Sequence, residues 1–367
     1  MEKIKRVILL NVPMSICNFR CSYCYLTHRK EYYQNKQPDY KYSPEHVAKA
    51  LSVDRLGGKA FINICADGET LLAKDIDKYT YELLKTGHYV EFVTNLTVST
   101  VLDKFLSWDK DLLKRLEFKC SFHYLQLKEK GKLDQFANYI HKIWAAGASA
   151  NIEITPSDDL VPYLDEVKEY SLKNFGALPH LSIARKDNTQ GIDYLTAMPI
   201  EEYDKIWSRF DSGFWQFKKT VFKEKRNEFC YAGDWSLYIN LATGEACQCY
   251  KSRCVHNAFE NINKPIKFRA IGQCMIAHCY NGHALLTIGC IPNLTGVKYG
   301  NIRNRIRVDG REWLQPELKS FFNTTLVESN DEYTDNEKKK ILRSNPYIQA
   351  RSRVGTVLQK IKNKLSR

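Results

Sequence analysis

At 367 residues, with 44% hydrophobic and 12% aromatic side chains, the chain suits one large domain with appendages, or two domains, and excludes wholesale disorder. No run approaches the roughly 20 apolar residues of a bilayer-spanning helix. The net charge of +13 leaves nucleic acid, anionic lipid or an acidic substrate open, but ten Lys or Arg and no acid lie from Lys338 onward, so much of the excess belongs to the tail.

The start, "MEKIKRVILLNVP", is basic and then apolar. Its apolar part is short and no small-residue cleavage site precedes Cys17, so it reads as a first strand and not a signal peptide. A cytoplasmic protein is expected. Further strands are predicted at 60–65, 89–94, 116–123, 150–155 and 180–184, each a short run rich in β-branched or aromatic residues. Helical periodicity fills the gaps. One helix starts at "SPEH", with Ser43 as cap and Pro44 at the first helical position. Others cover roughly 74–86, 98–108, 131–146, 158–174 and 200–220. Six strand–helix units predict an α/β fold, a parallel sheet curled by right-handed crossovers into a partial (β/α)6 barrel. Functional groups then belong at the C-terminal ends of the strands.

Beyond residue 225 cysteines, glycines and short strands replace that pattern. "WSLYINLATGEACQC" reads as a hairpin turning at Thr243–Gly244. The expected domains are a barrel at 1–224, a small cysteine-rich α+β domain at 225–305 and a basic helical tail at 306–367. In the tail, Val354, Val357, Leu358, Ile361 and Leu365 recur at helical spacing with Lys and Arg opposite. Docking on the protein's own body is the first expectation for that helix. Peripheral contact with an anionic membrane, at the inner face, is the second.

The twelve cysteines suggest metal more than disulfides in a reducing compartment. Cys65 and Cys120 stand apart in apolar strand-like runs and read as core residues. In "MSICNFRCSYCYL", Cys17, Cys21 and Cys24 follow the first strand. Structural zinc wants four ligands, and His28 is the nearest candidate to complete such a site. A cubane iron–sulfur cluster held by three thiolates leaves one iron open, which accounts for the missing fourth cysteine.

Cys17-Asn18-Phe19-Arg20-Cys21-Ser22-Tyr23-Cys24 resembles the Cys-x3-Cys-x-aromatic-Cys signature of the radical S-adenosylmethionine (radical SAM) superfamily, with Tyr23 in the aromatic slot. "CADGETLL" is similar to the family's Gly-Gly-Glu-Pro segment, with Asp for the first Gly and Thr for Pro. "VTNLT" is similar to its Thr-Asn-Gly. The resemblance implies a [4Fe–4S] cluster on Cys17, Cys21 and Cys24 that chelates S-adenosylmethionine. It implies cofactor contacts from Tyr23, Gly68, Glu69, Thr70, Thr94, Asn95, Ser121, His123 and Arg185, with Glu153 as a lesser candidate. It also implies reductive cleavage to a 5′-deoxyadenosyl radical that takes hydrogen from substrate.

Seven cysteines follow residue 225. "CYAGDWSLYINLATGEAC" looks like the opening of the twitch and SPASM extensions of some radical SAM enzymes. On that resemblance Cys230, Cys247, Cys274 and Cys279 hold one auxiliary [4Fe–4S] cluster, with Cys249, Cys254 and Cys290 spare. His278 and His283 lie beside them and read first as packing residues. The expected function is a radical SAM oxidoreductase acting on a small molecule, a sugar or glycan unit among the options, and drawing electrons from flavodoxin or ferredoxin. A peptide- or protein-modifying maturase is the alternative, disfavoured because the motif starts so near residue 1. A non-catalytic zinc scaffold is the distant one. Nucleic acid is not expected, for no RNA-binding module is evident.

Overall fold

The computed structural model describes residues 2–28, 35–186, 192–250, 252, 254–274, 276 and 278–344. The expected amphipathic helix of the tail lies outside the described residues. Among those described, no helix is long and apolar enough to cross a membrane.

Six strands run parallel in chain order: β1 (Arg6–Val12), β2 (Ala60–Ala66), β3 (Tyr89–Thr94), β4 (Leu116–Ser121), β5 (Ser149–Ile154) and β6 (His180–Leu181). Helices link them, as a sheet of right-handed crossovers requires. Alternation along each strand separates two environments. Ile62 and Ile64, Val90 and Phe92, and Phe118 and Cys120 pack outward beneath the helices. Asn63, Cys65, Glu91, Val93 and Lys119 point inward and line a cavity. Cys120 is therefore a core residue, as its run suggests. Cys65 is not: sharing the parity of Asn63, it faces the lumen.

The first long helix, Pro44–Ala50, starts where Ser43 accepts a hydrogen bond from the His46 backbone at 3.3 Å. The helix expected at 200–220 is two, Ile200–Trp207 and Gly213–Val221. Asp211, at φ +46°, turns the chain, and Ser212 recaps it by accepting from the Trp215 backbone at 3.2 Å. β6 is shorter than expected. After it, β7 (Arg185–Lys186) and β8 (Asp193–Tyr194) form a separate two-stranded ladder.

The cysteine-rich region extends the main sheet. β9 (Ser236–Asn240) lies parallel to β1, and β10 (Glu245–Cys247) and β11 (Cys254–Asn257) follow antiparallel. The strand order is β11-β10-β9-β1-β2-β3-β4-β5-β6. Gly244 makes the β9–β10 turn at φ +77°, and a side chain there would strike Asn257 and Phe259.

Residues 299–326 fill the bottom of the barrel. Phe321 stacks on Tyr89 with ring centres 3.7 Å apart, and Phe322 packs on Phe61 at 4.7 Å. Tyr299 and Arg303, on the short helix Tyr299–Arg303, enter the lumen. The Tyr299 hydroxyl donates to Glu91 at 2.6 Å, and the Arg303 guanidinium pairs with Glu153 and lies 3.8 Å from Glu117.

Candidate active site

The cysteine loop leaves β1 and is fastened on both flanks. Asn18, between the first two cysteines, donates to Thr97 at 2.6 Å and accepts from the Asn95 side chain at 3.0 Å. Asn95 stands at the end of β3, so this network ties the loop to the mouth of the barrel. Glu69 is buried in the same knot. Its carboxylate accepts from Thr94 Oγ1 at 2.6 Å and from the backbone N–H groups of Asn95 at 2.7 Å and Leu71 at 3.0 Å. Burial raises its pKa to about 7 in spite of these donors. Thr70 accepts from the Ala66 backbone at 3.3 Å. Glu69, Thr70 and Thr94 thus hold the turn together, and Asp67 is the acid of that segment that faces the cavity.

Gly68 has a second reason to be glycine. Any Cβ there would collide with the Ile16 carbonyl, beside Cys17, while the Glu69 N–H donates to that same carbonyl at 2.9 Å. The β2 turn and the cysteine loop touch backbone to backbone.

Tyr23 and His123 are joined, hydroxyl to Nδ1, at 2.7 Å. Burial lowers His123 to about 4, so the ring is neutral and its nitrogen accepts from the hydroxyl. Phe19 meets the same imidazole edge-on at 5.9 Å. His123, expected at the cofactor, orients the aromatic residue of the motif. Ser121 ends β4 at Glu153's level on β5. His28 folds back on the loop, its Nε2 2.7 Å from the Ser22 carbonyl.

The three thiols suit a cluster. Burial pushes Cys17 up to about 11 and Cys21 up to about 12, so without a metal these donors stay protonated. Bound iron would supply the positive charge that makes thiolates stable there. Three sulfurs on one short loop match a cubane with an open iron. Among the described residues, no three His, Cys, Asp or Glu side chains close on a single-ion point.

A second group of thiols forms between the hairpin and the segment 274–290. Cys230, Cys249, Cys274, Cys279 and Cys290 line one small cavity. Burial pushes Cys230 up to about 12 and raises Cys249, Cys279 and Cys290, with neighbouring thiols adding to the effect. The resemblance implies Cys247 in this set, whereas the structure has Cys249 there and not Cys247. β10 ends at Cys247, which faces Cys254 across the β10–β11 ladder and is disulfide-bonded to it. The chain then leaves the sheet, and Cys249 swings to the thiol group. Cys290 donates toward Ser236 Oγ at 3.6 Å. His278 lines the same cavity and packs between Phe222 and Tyr280.

Between the two groups lies a cavity of about 380 Å³. Tyr25, Tyr250 and Tyr280 form part of its wall. Each is the residue after a cysteine: Cys24, Cys249 and Cys279. Arg185 lies between two of them, 5.4 Å from the Tyr25 ring and 5.3 Å from that of Tyr280. It is on the cavity side, not on the cysteine loop. Glu153 sits deeper, paired with Lys119 at 3.3 Å and with Arg303. Sequence reasoning missed Asn18, Lys119 and Arg303. Only Asn18, inside the motif, carried a positional signal.

No curated protein sequence matches this chain. Several solved structures resemble it. Streptococcus suis SuiB bound to S-adenosylmethionine is 13% identical, with a TM-score of 0.49 over 71% of this chain and 64% of that one. The chain thus spans less than two thirds of SuiB. The anSMEcpe enzyme with bound AdoMet and Cp18Cys peptide is 13% identical, with a TM-score of 0.45 over 70% and 78%. BtrN in complex with AdoMet and 2-DOIA is 15% identical, with a TM-score of 0.32 over 74% and 79%. Residues 11–118, which run from the end of β1 to the start of β4 and include the cysteine loop and the turns that grip it, match the family model of the Radical SAM superfamily. Over that region, less than a third of its length, the chain resembles the radical SAM superfamily of enzymes.

Proposed function

We propose that this protein cleaves S-adenosylmethionine reductively and uses the resulting radical to take a hydrogen atom from a small polar substrate held in the barrel cavity. An auxiliary [4Fe–4S] cluster on Cys230, Cys249, Cys274 and Cys279 is proposed to carry an electron to or from that substrate. The observation behind this reading is the position of the cavity, walled by tyrosines that adjoin both thiol groups. When bound, the first cluster and S-adenosylmethionine supply one electron, methionine and the 5′-deoxyadenosyl radical.

The chain's own residues do the rest. Gly68 lets the β2 turn lie against the cysteine loop. Glu69, Thr94, Asn95 and Asn18 hold that contact rigid, which matters because a reactive carbon must meet one C–H bond and no other. Tyr23, fixed by His123, closes the loop's side. A substrate seated against Tyr25, Tyr250 and Tyr280 would displace water from the cavity and limit competing hydrogen donors. Asn11, Asn63 and Asp67 offer hydrogen-bonding groups to a hydroxylated substrate, a sugar among them. An external one-electron donor such as flavodoxin or ferredoxin completes the scheme.

Iron counting after anaerobic reconstitution tests the reading. A Cys17/Cys21/Cys24→Ala variant is expected to keep about four irons per chain, and Cys249→Ala to lose about four while Cys247→Ala keeps them. Wild-type protein with dithionite is expected to form 5′-deoxyadenosine. Absence of that product overturns the proposed activity. Retention of all iron in Cys249→Ala overturns the auxiliary ligand set.

A further inference from the structure

The charges around the cavity are sorted by side. Toward β1, β2 and β3 the wall carries Asn11, Asn63, Asp67 and Glu91. Toward β4 and the helix Gly213–Val221 it carries Lys119, Arg185 and His283, and the adjoining cleft shares Arg185 and His283 and adds Lys218. His283 shows how dense this positive side is. Its imidazole is held neutral, far below its usual range, by burial and by Lys119, Lys218, Arg303 and Arg185 around it. The Lys119 ammonium is 3.5 Å from its Nε2.

Among the described residues, the carboxylates nearest Lys119 and Lys218 already have partners. Glu153 is engaged by both Arg303 and Lys119. Glu117 lies against Arg303. Glu91 accepts from Asn63 and from Tyr299. Among the described residues, no carboxylate comes within ion-pair distance of Lys218, whose ammonium sits 5.0 Å from the Phe214 ring. Burial, with Lys119, Arg185 and Arg303 nearby, brings its pKa down to about 7 even though Glu153 opposes the shift. Clustered cations in a partly dehydrated wall repel one another, and a bound anion relieves both the repulsion and the lost hydration.

We infer that the substrate carries an anionic group, carboxylate or phosphate, and that this group seats against Lys218, Lys119 and Arg185, at the end of the cavity nearest Cys279. The inference rests on the reading of this cavity as the substrate site. It also gives the substrate a direction. The anion lies under the helix Gly213–Val221, and the uncharged polar part extends toward Asn11, Asn63 and Asp67, on the β1–β3 side of the barrel.

The test is calorimetric titration of the reconstituted full chain at pH 7 with inorganic phosphate and, separately, with acetate. At least one is expected to bind, and the preferred ion names the group. Lys218→Met is expected to weaken that binding about tenfold or more, the loss of one charge-assisted contact, and Lys218→Arg to restore it. Should Lys218→Met fail to fold, Lys119→Gln serves, with the same weakening expected. Saturating S-adenosylmethionine is expected to leave the anion in place. Displacement by S-adenosylmethionine would assign the seat to the methionyl carboxylate and overturn the inference. So would binding of neither ion, or binding of equal strength in the neutral variants. Wild-type cleavage of S-adenosylmethionine in the same preparation separates the two readings. Cleavage without an anion seat overturns the inference alone, and no cleavage overturns the activity on which it rests.

Discussion

Gly68 sets how closely the β2 turn approaches the cysteine loop. Alanine there would force its Cβ into the Ile16 carbonyl, and backbone cannot swing aside as a side chain can. Gly68→Ala is therefore expected to lose half or more of the iron on Cys17, Cys21 and Cys24 after identical reconstitution, with unchanged far-UV circular dichroism. Iron counted in a background lacking the other thiols would check it. The motif made this glycine legible, because short spacing along the chain is visible in sequence. Contacts across the chain were not. Nothing in "CNFRC" says that its asparagine reaches Thr97. Cys247 and Cys249 are two residues apart and chemically alike. Only the end of β10 decides which one turns toward Cys230.

At the scale of elements, the strands were the most legible part, since short β-branched runs bounded by polar turns have few other readings. All six barrel strands overlap the expected stretches, with β2 and β5 each reaching one residue beyond them. The helices after residue 298 were not legible as core elements. Tyr299–Arg303 and Pro316–Phe322 have five and seven residues, too few turns for periodicity to show. They nevertheless build a second core under the barrel with Phe61 and Tyr89. Phe321 is 1% exposed and stacked on Tyr89. Phe321→Ala is expected to destabilise the fold by about 3–5 kcal/mol, read from anaerobic denaturant unfolding. An effect below about 1 kcal/mol would mean that these residues are an appended tail and not a floor.

For the molecule as a whole, the buried charges make stability depend on pH. Glu117 is fully buried, neither of its oxygens has a hydrogen-bond partner, and burial together with Glu91 raises its pKa well above the usual carboxylate range. Between that range and the raised value the folded chain holds a proton that the unfolded chain has lost. Stability therefore falls as pH rises through this window. Glu117→Gln is expected to flatten that slope, seen as thermal midpoints that change less from mildly acidic to mildly basic buffer than those of the wild type. An unchanged slope would assign the effect to other groups. A different property follows from the place of β9 between β1 and the outer hairpin. During synthesis, β1 emerges first and can join β2 early, but its other edge has no partner until residue 236 leaves the ribosome. For most of translation the nascent barrel carries an open strand edge beside the loop that bears Cys17, Cys21 and Cys24. Such edges recruit other strands, and long-range pairings form slowly. The growing chain thus has a window of vulnerability to misassociation and to oxygen, and it closes when the second thiol region pairs with the first strand.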